Sequence, residues 1–385
     1  MLFAILAIAA STLDDDHPLL ADLGREPTVG RNIKVISTRY RSAALRCLAA
    51  DKVMSRHSIH SLQALVLINY ARVYRGLSSW TLLGFTHHVA ISMGCHLDPE
   101  RFTLGSIERE ERRRVWAGLM LLHTIQKTLF GSLDQQNLTQ DVKIPADIDD
   151  VDLLISSNFK RPAPSTSPSL TQMTYFRFTF QLYKISSHIC EAIFTYPSTS
   201  RFTASQIEAE ITSVREMVAA RYAPDTKTPV PIHHQANYHI LQCQIQQLLL
   251  LLLRPRLCRY VQGEITPETC AIRAKCIASA KILLSIFEIL FKSPSFKPYK
   301  RYTSGLGSLY AFQAAVTLAV ILLIHEGQSE YEEINDLLDR ALDIFALLSV
   351  RSILCSKAVP IYDELCMSKF QLTLKLKSSH LLASD

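Results

Sequence analysis

The chain has 385 residues, of which 48% are hydrophobic, 20% are charged and only 12 are Gly, and its net charge is +6. This composition excludes a largely disordered chain or a long tail of one charge, and fits a well-filled helical core in one large or two medium domains. A charge this modest permits an acidic partner without demanding one, and no long Lys/Arg stripe of the nucleic-acid-reading kind is present.

The first ten residues, MLFAILAIAA, are apolar but carry no Lys or Arg, and Asp14 to Asp16 follow closely. The end of a buried helix suits them better than a secretory signal. Periodicity predicts helices over Ile33–Met54 and Ser61–Tyr74, the second stopped at Gly76. A third, capped by Ser78, runs through Trp80, Leu83, Phe85 and Val89 to Met93 and closes at Gly94. The segment Cys95-His96-Leu97-Asp98-Pro99 then turns the chain.

The stretch from Ser106 to Leu153 organises the rest. Ser106 is the predicted N-cap of a long helix, and Glu108, Glu110 and Glu111 sit where the helix dipole favours negative charge. Val115, Leu119, Leu122, Gln126 and Leu129 share one face, with Trp116, Met120 and His123 beside it. Arg112, Arg113 and Arg114 splay over different faces. Gly131 supplies a left-handed stop, and an acidic segment follows Pro145.

Residues 156–168 are a Pro/Ser-rich loop. Helices are predicted over Leu170–Thr195 and from Thr203 to about Arg221, the latter opened by the capping-box spacing of Thr203 and Gln206. A loop over 222–231 leads to the most apolar helix, Ile232–Leu253. Gln242, Gln244, Gln246 and Gln247 break its apolar run, which argues against a membrane span. Arg254-Pro255 is expected to end it. Thr266-Pro267-Glu268 opens a helix to Phe291. The basic segment 292–304 reads as a flexible, solvated connection. Helices over Leu306–Glu326, Ser329–Leu348 and about Pro360–Leu376 complete the series. No segment alternates as a strand and no sequence repeat emerges. The fold expected is all-α, an irregular multi-helix bundle of about a dozen helices in a single domain over 1–385, with its core about 33–376.

Nine Cys at scattered positions form no Cys-x-x-Cys. The fitting reading is reduced thiols in an intracellular protein, most of them acting as small hydrophobes. No metal site and no cofactor is expected. The sequence has no GxGxxG, P-loop, GxSxG or HExxH. The doublets His87-His88 and His233-His234 diverge on a helix and make poor two-His metal sites.

Several residues carry two readings. His123, mid-helix among apolar turns, can bind a ligand or move a proton near neutral pH, or be a core imidazole bonded to a backbone carbonyl or to Asp141. His96, at its turn, has the same pair of readings. The Arg triple can bind an anion or a partner. The structural reading is preferred: Arg112 or Arg113 pairs with acids of Asp147–Asp152 and pins the tail to the helix.

The run Glu-rich, Arg-Arg-Arg-x-Trp, apolar helix, Gly turn, Pro-Ala-Asp resembles the regulatory (middle homology) region of fungal zinc-cluster transcription factors. Gln63, Gly84, Ala90, Gly94 and His96 match the family's preceding helices, and YHILQCQIQQLLLLLLRPRL matches its His-containing helix ending in Leu-x-Arg-Pro, here Arg254-Pro255. Three departures stand out. Ala117 replaces a second Trp, His123 stands where Asp is usual, and Ser132-Leu133 replace Arg-Pro. The resemblance covers roughly Leu2 to Ser352. It implies an all-helical regulatory domain, nuclear or cytoplasmic, that receives a small molecule or protein partner, acts off the membrane and can homodimerise.

The family's DNA-reading cluster of six Cys holding two zinc ions has no counterpart here. The expectation is therefore a domain that begins partway into the usual one and does not bind DNA sequence-specifically by itself. The alternative is a domain repurposed as a cyclase- or pericyclase-type enzyme of a fungal biosynthetic pathway. That chemistry needs a shaped apolar pocket with a few polar groups. Candidate lining residues for either ligand or substrate are His123, His96, Tyr70, Trp116, Tyr175 and His239.

Overall fold

The computed structural model describes residues 1–14, 17–23, 26–130, 142–155, 170–194, 202–223, 230–324, 331–361 and 364. Gly131, Ser132, Leu133, Asp141, the 156–168 loop and most of the last expected helix lie outside them. Among the described residues there is no strand. The helices are α1 (Leu2–Ala10), α2 (Leu19–Leu23), α3 (Val29–Ala50), α4 (Ile59–Val73), α5 (Trp80–Ser92), α6 (Ser106–Phe130), α7 (Asp150–Ile155), α8 (Thr174–Phe194), α9 (Ala204–Arg221), α10 (Ile232–Val261), α11 (Pro267–Lys292), α12 (Lys300–Thr303), α13 (Leu306–Ile324) and α14 (Tyr331–Leu348). Residues 353–361 are also helical. The chain divides into two compact units, Met1–Leu248 and Leu249–Asp385, the division falling inside α10.

In the first unit, α1 packs on α3. Ala4, Ala7 and Ala10 form its buried face, and these small side chains let the backbones approach closely enough for Ser37 Oγ to donate to the Ala7 carbonyl at 2.8 Å. Leu20, Ile33 and Ile36 close a small core around Ala10. α4 starts two residues earlier than its apolar pattern indicates, because Ser58 caps it in a reciprocal box with Ser61. Gly76 and Gly94 take positive φ (67° and 74°) after α4 and α5, the conformation that glycine adopts without a Cβ penalty.

The central helix of this unit is α6, which packs against α4, α5, α8 and the 3-10 turn Pro99–Arg101. From Val115 to Ile125 its apolar side chains are buried on every side, Leu119 and Met120 completely. Its first turn differs from the sequence expectation. Arg109 N–H bonds to the Gly105 carbonyl, so Ser106 lies inside the helix rather than capping it.

In the second unit, Leu250, Leu253, Leu257 and Tyr260 of α10 join the buried faces of α11, α13 and α14. This corrects the expected stop at Arg254-Pro255: α10 continues through Pro255 to Val261. A proline inside a helix costs about 3 kcal/mol. Arg254 and Pro255 are exposed while the apolar positions around them are buried, and that burial carries the helix through. α13 is long and apolar enough to cross a membrane by composition, yet ten of its residues, from Leu306 to Leu322, are buried against its neighbours. The segment 292–304 is also not the solvated loop its charge indicates. It forms a 3-10 helix over Pro294–Tyr299 and then α12, and Phe296, Arg301, Tyr302 and Thr303 are buried.

Candidate functional site

Three side-chain groupings in the first unit are candidates, and their electrostatics separate them. The first surrounds the Arg triple. Arg113, buried, donates to Asp98 and Glu100, both at 2.9 Å. Arg114 reaches Glu110 one turn back at 3.1 Å and Asp150 across the chain at 2.5 Å. Arg112 bonds Glu108 and the Met93 carbonyl. The acidic tail is thus pinned to α6 by Arg114, not by Arg112 or Arg113. Successive helical residues diverge by about 100°, so only one of the three can face the tail. Asp147 pairs instead with Arg221 and accepts from Thr171 and Thr174.

Backbone donors complete this clamp. Lys143 N–H bonds Asp98, Ala146 N–H bonds Glu110, and the Pro145 carbonyl accepts from Arg177. Burial pushes the Asp98 carboxyl up, but the hydrogen bonds from Arg113 and from the Glu100 and Lys143 N–H groups outweigh it and hold the group at about 2. Glu110 shifts the opposite way: its burial raises it more than Arg114 and Ala146 lower it. Each ion-pairing side chain in the clamp has an opposite charge as partner, although Arg112 Nε, Arg113 Nε and Arg114 Nη2 are left without an acceptor, and the arrangement holds the 142–150 segment on α6.

The second grouping is aromatic. His87 of α5 stacks on Trp116 at 5.7 Å and meets His123 edge-on at 5.2 Å, and His96 lies 6.4 Å from Trp116. Three residues singled out in the sequence, His96, Trp116 and His123, are thereby brought together. His87, which joins them, was missed. The available signal was its place between Leu83 and Ala90 on one apolar face. His123 faces the Leu83 backbone, which slightly favours its charged form, and its Nε2 has no partner. Burial, then the neighbouring His87 and Lys127, depress it to about 4, so it is neutral at physiological pH. Tyr70 packs on Tyr74 at 4.2 Å, His239 on Tyr238 at 5.8 Å, and Tyr175 lies half-buried on α8.

The third grouping was not legible as a motif. α3, α4, α5 and the residues beside them form an open apolar groove of about 880 Å³. Its floor is Leu48, Val53 and Leu65, all nearly fully buried, and its rim includes the exposed Leu45 and Met54 with Trp80 and Phe85. Arg72 supplies the charge at its wall. None of His123, His96, Tyr70, Tyr175 or His239 lines it. Among the described residues no group of three or more His, Cys, Asp or Glu could hold a metal ion. Of the described cysteines, four are buried and Cys47, Cys258 and Cys270 are exposed.

These features define an all-helical domain organised on an Arg-rich central helix, with a salt-linked tail and a lateral apolar groove. The family described as the Fungal specific transcription factor domain matches residues 1–222, more than half of the chain, and the chain belongs to that family. Similar proteins include an uncharacterized transcriptional regulatory protein of Schizosaccharomyces pombe, 25% identical over 61% of this chain and 31% of the relative. The Pyriculol/pyriculariol biosynthesis cluster transcription factor 1 of Pyricularia oryzae is 29% identical over 40% of this chain and 20% of its own length. Transcription factor opdR of Penicillium oxalicum is 24% identical over 66% of this chain and 33% of its own. The chain spans a third or less of the length of these relatives. No solved structure matches.

Proposed function

We propose that this chain is the effector-receiving domain of a fungal transcription regulator, acting in the nucleus, and that its effector is a small molecule held in the groove of α3, α4 and α5. The observation that carries the reading is the groove itself. It lies within the residues the family matches, it is apolar, and at about 880 Å³ it falls in the size range of small-molecule sites. The name of the Pyricularia relative supports a setting in a biosynthetic gene cluster. For these 385 residues by themselves we propose no sequence-selective DNA binding, because their cysteines have none of the close spacing that a zinc cluster needs.

The test is a reporter assay. The chain is fused to a heterologous DNA-binding module and expressed in a fungus under varied growth conditions. Reporter output then changes several-fold with condition, and Ala49→Trp, which fills the groove from an exposed position, locks the output at one level. Output that never differs from that of the DNA-binding module alone would overturn the reading.

A further inference from the structure

Charge is distributed unevenly around the groove. Between Thr28 and Leu97 there are nine Lys or Arg and a single carboxylate, Asp51. The three helices that line the groove contain no Asp or Glu at all. Arg72 stands at the wall, donating to the Ser78 carbonyl at 2.8 Å, while its buried Nε has no acceptor. Arg41, one turn before the rim residue Leu45, has a buried Nη1 that also lacks an acceptor; among the described residues its side chain makes one long bond, to Thr38 at 3.3 Å. Arg41 is not among the groove-lining residues but sits on α3, which packs against the α4 that carries Arg72; burial and then the Arg72 charge depress its guanidinium. Neither makes an ion pair with any described carboxylate.

A wall guanidinium with an unmet donor, Arg72, in a trough of Leu, Val, Trp and Phe, with a second under-bonded Arg on the helix packed beside it and no carboxylate on either helix, is complementary to one kind of molecule. Resting on the reading of the groove as the effector site, we infer that the effector is an amphiphilic carboxylate: an aliphatic or aromatic body lies along Leu48, Val53, Leu65 and Phe85, and its carboxylate is taken by Arg72 with Arg41 beside it. A guanidinium meets a carboxylate through two parallel N–H bonds and tolerates partial burial, and an anion here relieves the repulsion between the two cations. A neutral apolar ligand leaves those donors unmet. A polyanion is disfavoured by the apolar floor.

The experiment titrates the full chain with cis-parinarate, a fluorescent long-chain carboxylate, and with its methyl ester. The acid binds saturably and about tenfold or more tightly than the ester, the margin appropriate to hydrogen bonds with a charged group. Arg72→Met and, separately, Arg41→Met shrink that margin toward one. Arg41→Met leaves the Ser78 contact intact, so it decides the matter should Arg72→Met fold poorly. Ala49→Trp abolishes binding of both compounds. Equal affinity for acid and ester, lost in Ala49→Trp, keeps the groove as an apolar ligand site and overturns the carboxylate. No binding of either compound overturns the groove as an effector site. A chain that is dimeric in sedimentation, and becomes monomeric on Trp80→Ala, gives the groove to a second copy and overturns both.

Discussion

The clamp on α6 and the groove on α3–α5 are neighbours in sequence and opposites in electrostatics. In the clamp, Asp98, Glu110 and Arg113 are all buried, and each is matched by an opposite charge or a backbone donor. In the groove, Arg72 stands without a carboxylate beside apolar side chains that water still reaches, and Arg41 lies on the helix that forms one wall. Matched burial holds a fold together, whereas part-buried cations with no carboxylate on an apolar wall are left to water and are available to an anionic ligand. The difference is what the proposed division of labour rests on: ion pairs that hold the fold in one region, a ligand site in the other.

The largest expected effect breaks the clamp. Arg113→Met leaves Asp98 buried without its cation, and loss of one partner of a buried pair costs about 3–5 kcal/mol. Urea unfolding measures it, and a change under ~1 kcal/mol would place the pair among weak surface bridges.

Acid sharpens the same point. Asp98 binds its proton less readily folded than unfolded, so its contribution is present above 3.8 and is lost as pH falls toward about 2. The shift corresponds to about 2 kcal/mol. Glu110 has the reverse sign: raised in the fold, it weakens the native state as pH climbs past its usual value. Urea midpoints taken across pH 2–6 should therefore fall at the acid end, and Asp98→Asn should flatten that limb.

A smaller effect is expected where α5 ends and leads into the clamp. Gly94 has φ +74°, and a Cβ there meets the Phe102 ring at 3.1 Å. Gly94→Ala should cost about 1–2 kcal/mol from the left-handed backbone, read as a lowered unfolding midpoint.

The smallest effect belongs to the groove. Arg72→Met loses one exposed bond to Ser78 and relieves a repulsion, so stability should move by no more than about 1 kcal/mol.

Much of the architecture was legible because helix entries are local. Thr203 with Gln206, and Thr266 with Pro267, cap where their spacing indicates. Ser58 was passed over because its box partner is Ser61 rather than Glu or Gln. Pro255 and the 292–304 segment misled for one shared reason: burial in the second unit outweighs a local helix breaker in α10 and a local charge run before α13. Which Arg of the triple meets the tail depends on where Asp150 is placed by chain that follows α6, and sequence spacing does not contain that. The aromatic cluster was half-visible, three of its four members being on or beside α6. The groove was invisible, since it is shared among residues from Leu45 to Phe85 with no spacing rule. The lack of acids over the same stretch was in plain view, but it acquires meaning only once the three helices are side by side.

The account turns on urea unfolding midpoints of wild type, Arg113→Met and Arg72→Met, each with and without saturating cis-parinarate. It predicts that Arg113→Met unfolds much earlier than wild type, while Arg72→Met unfolds nearly with wild type but loses most of the upward shift that the carboxylate gives wild type. An Arg72→Met chain that unfolds as early as Arg113→Met, or that is stabilised by the acid as strongly as wild type, would contradict it.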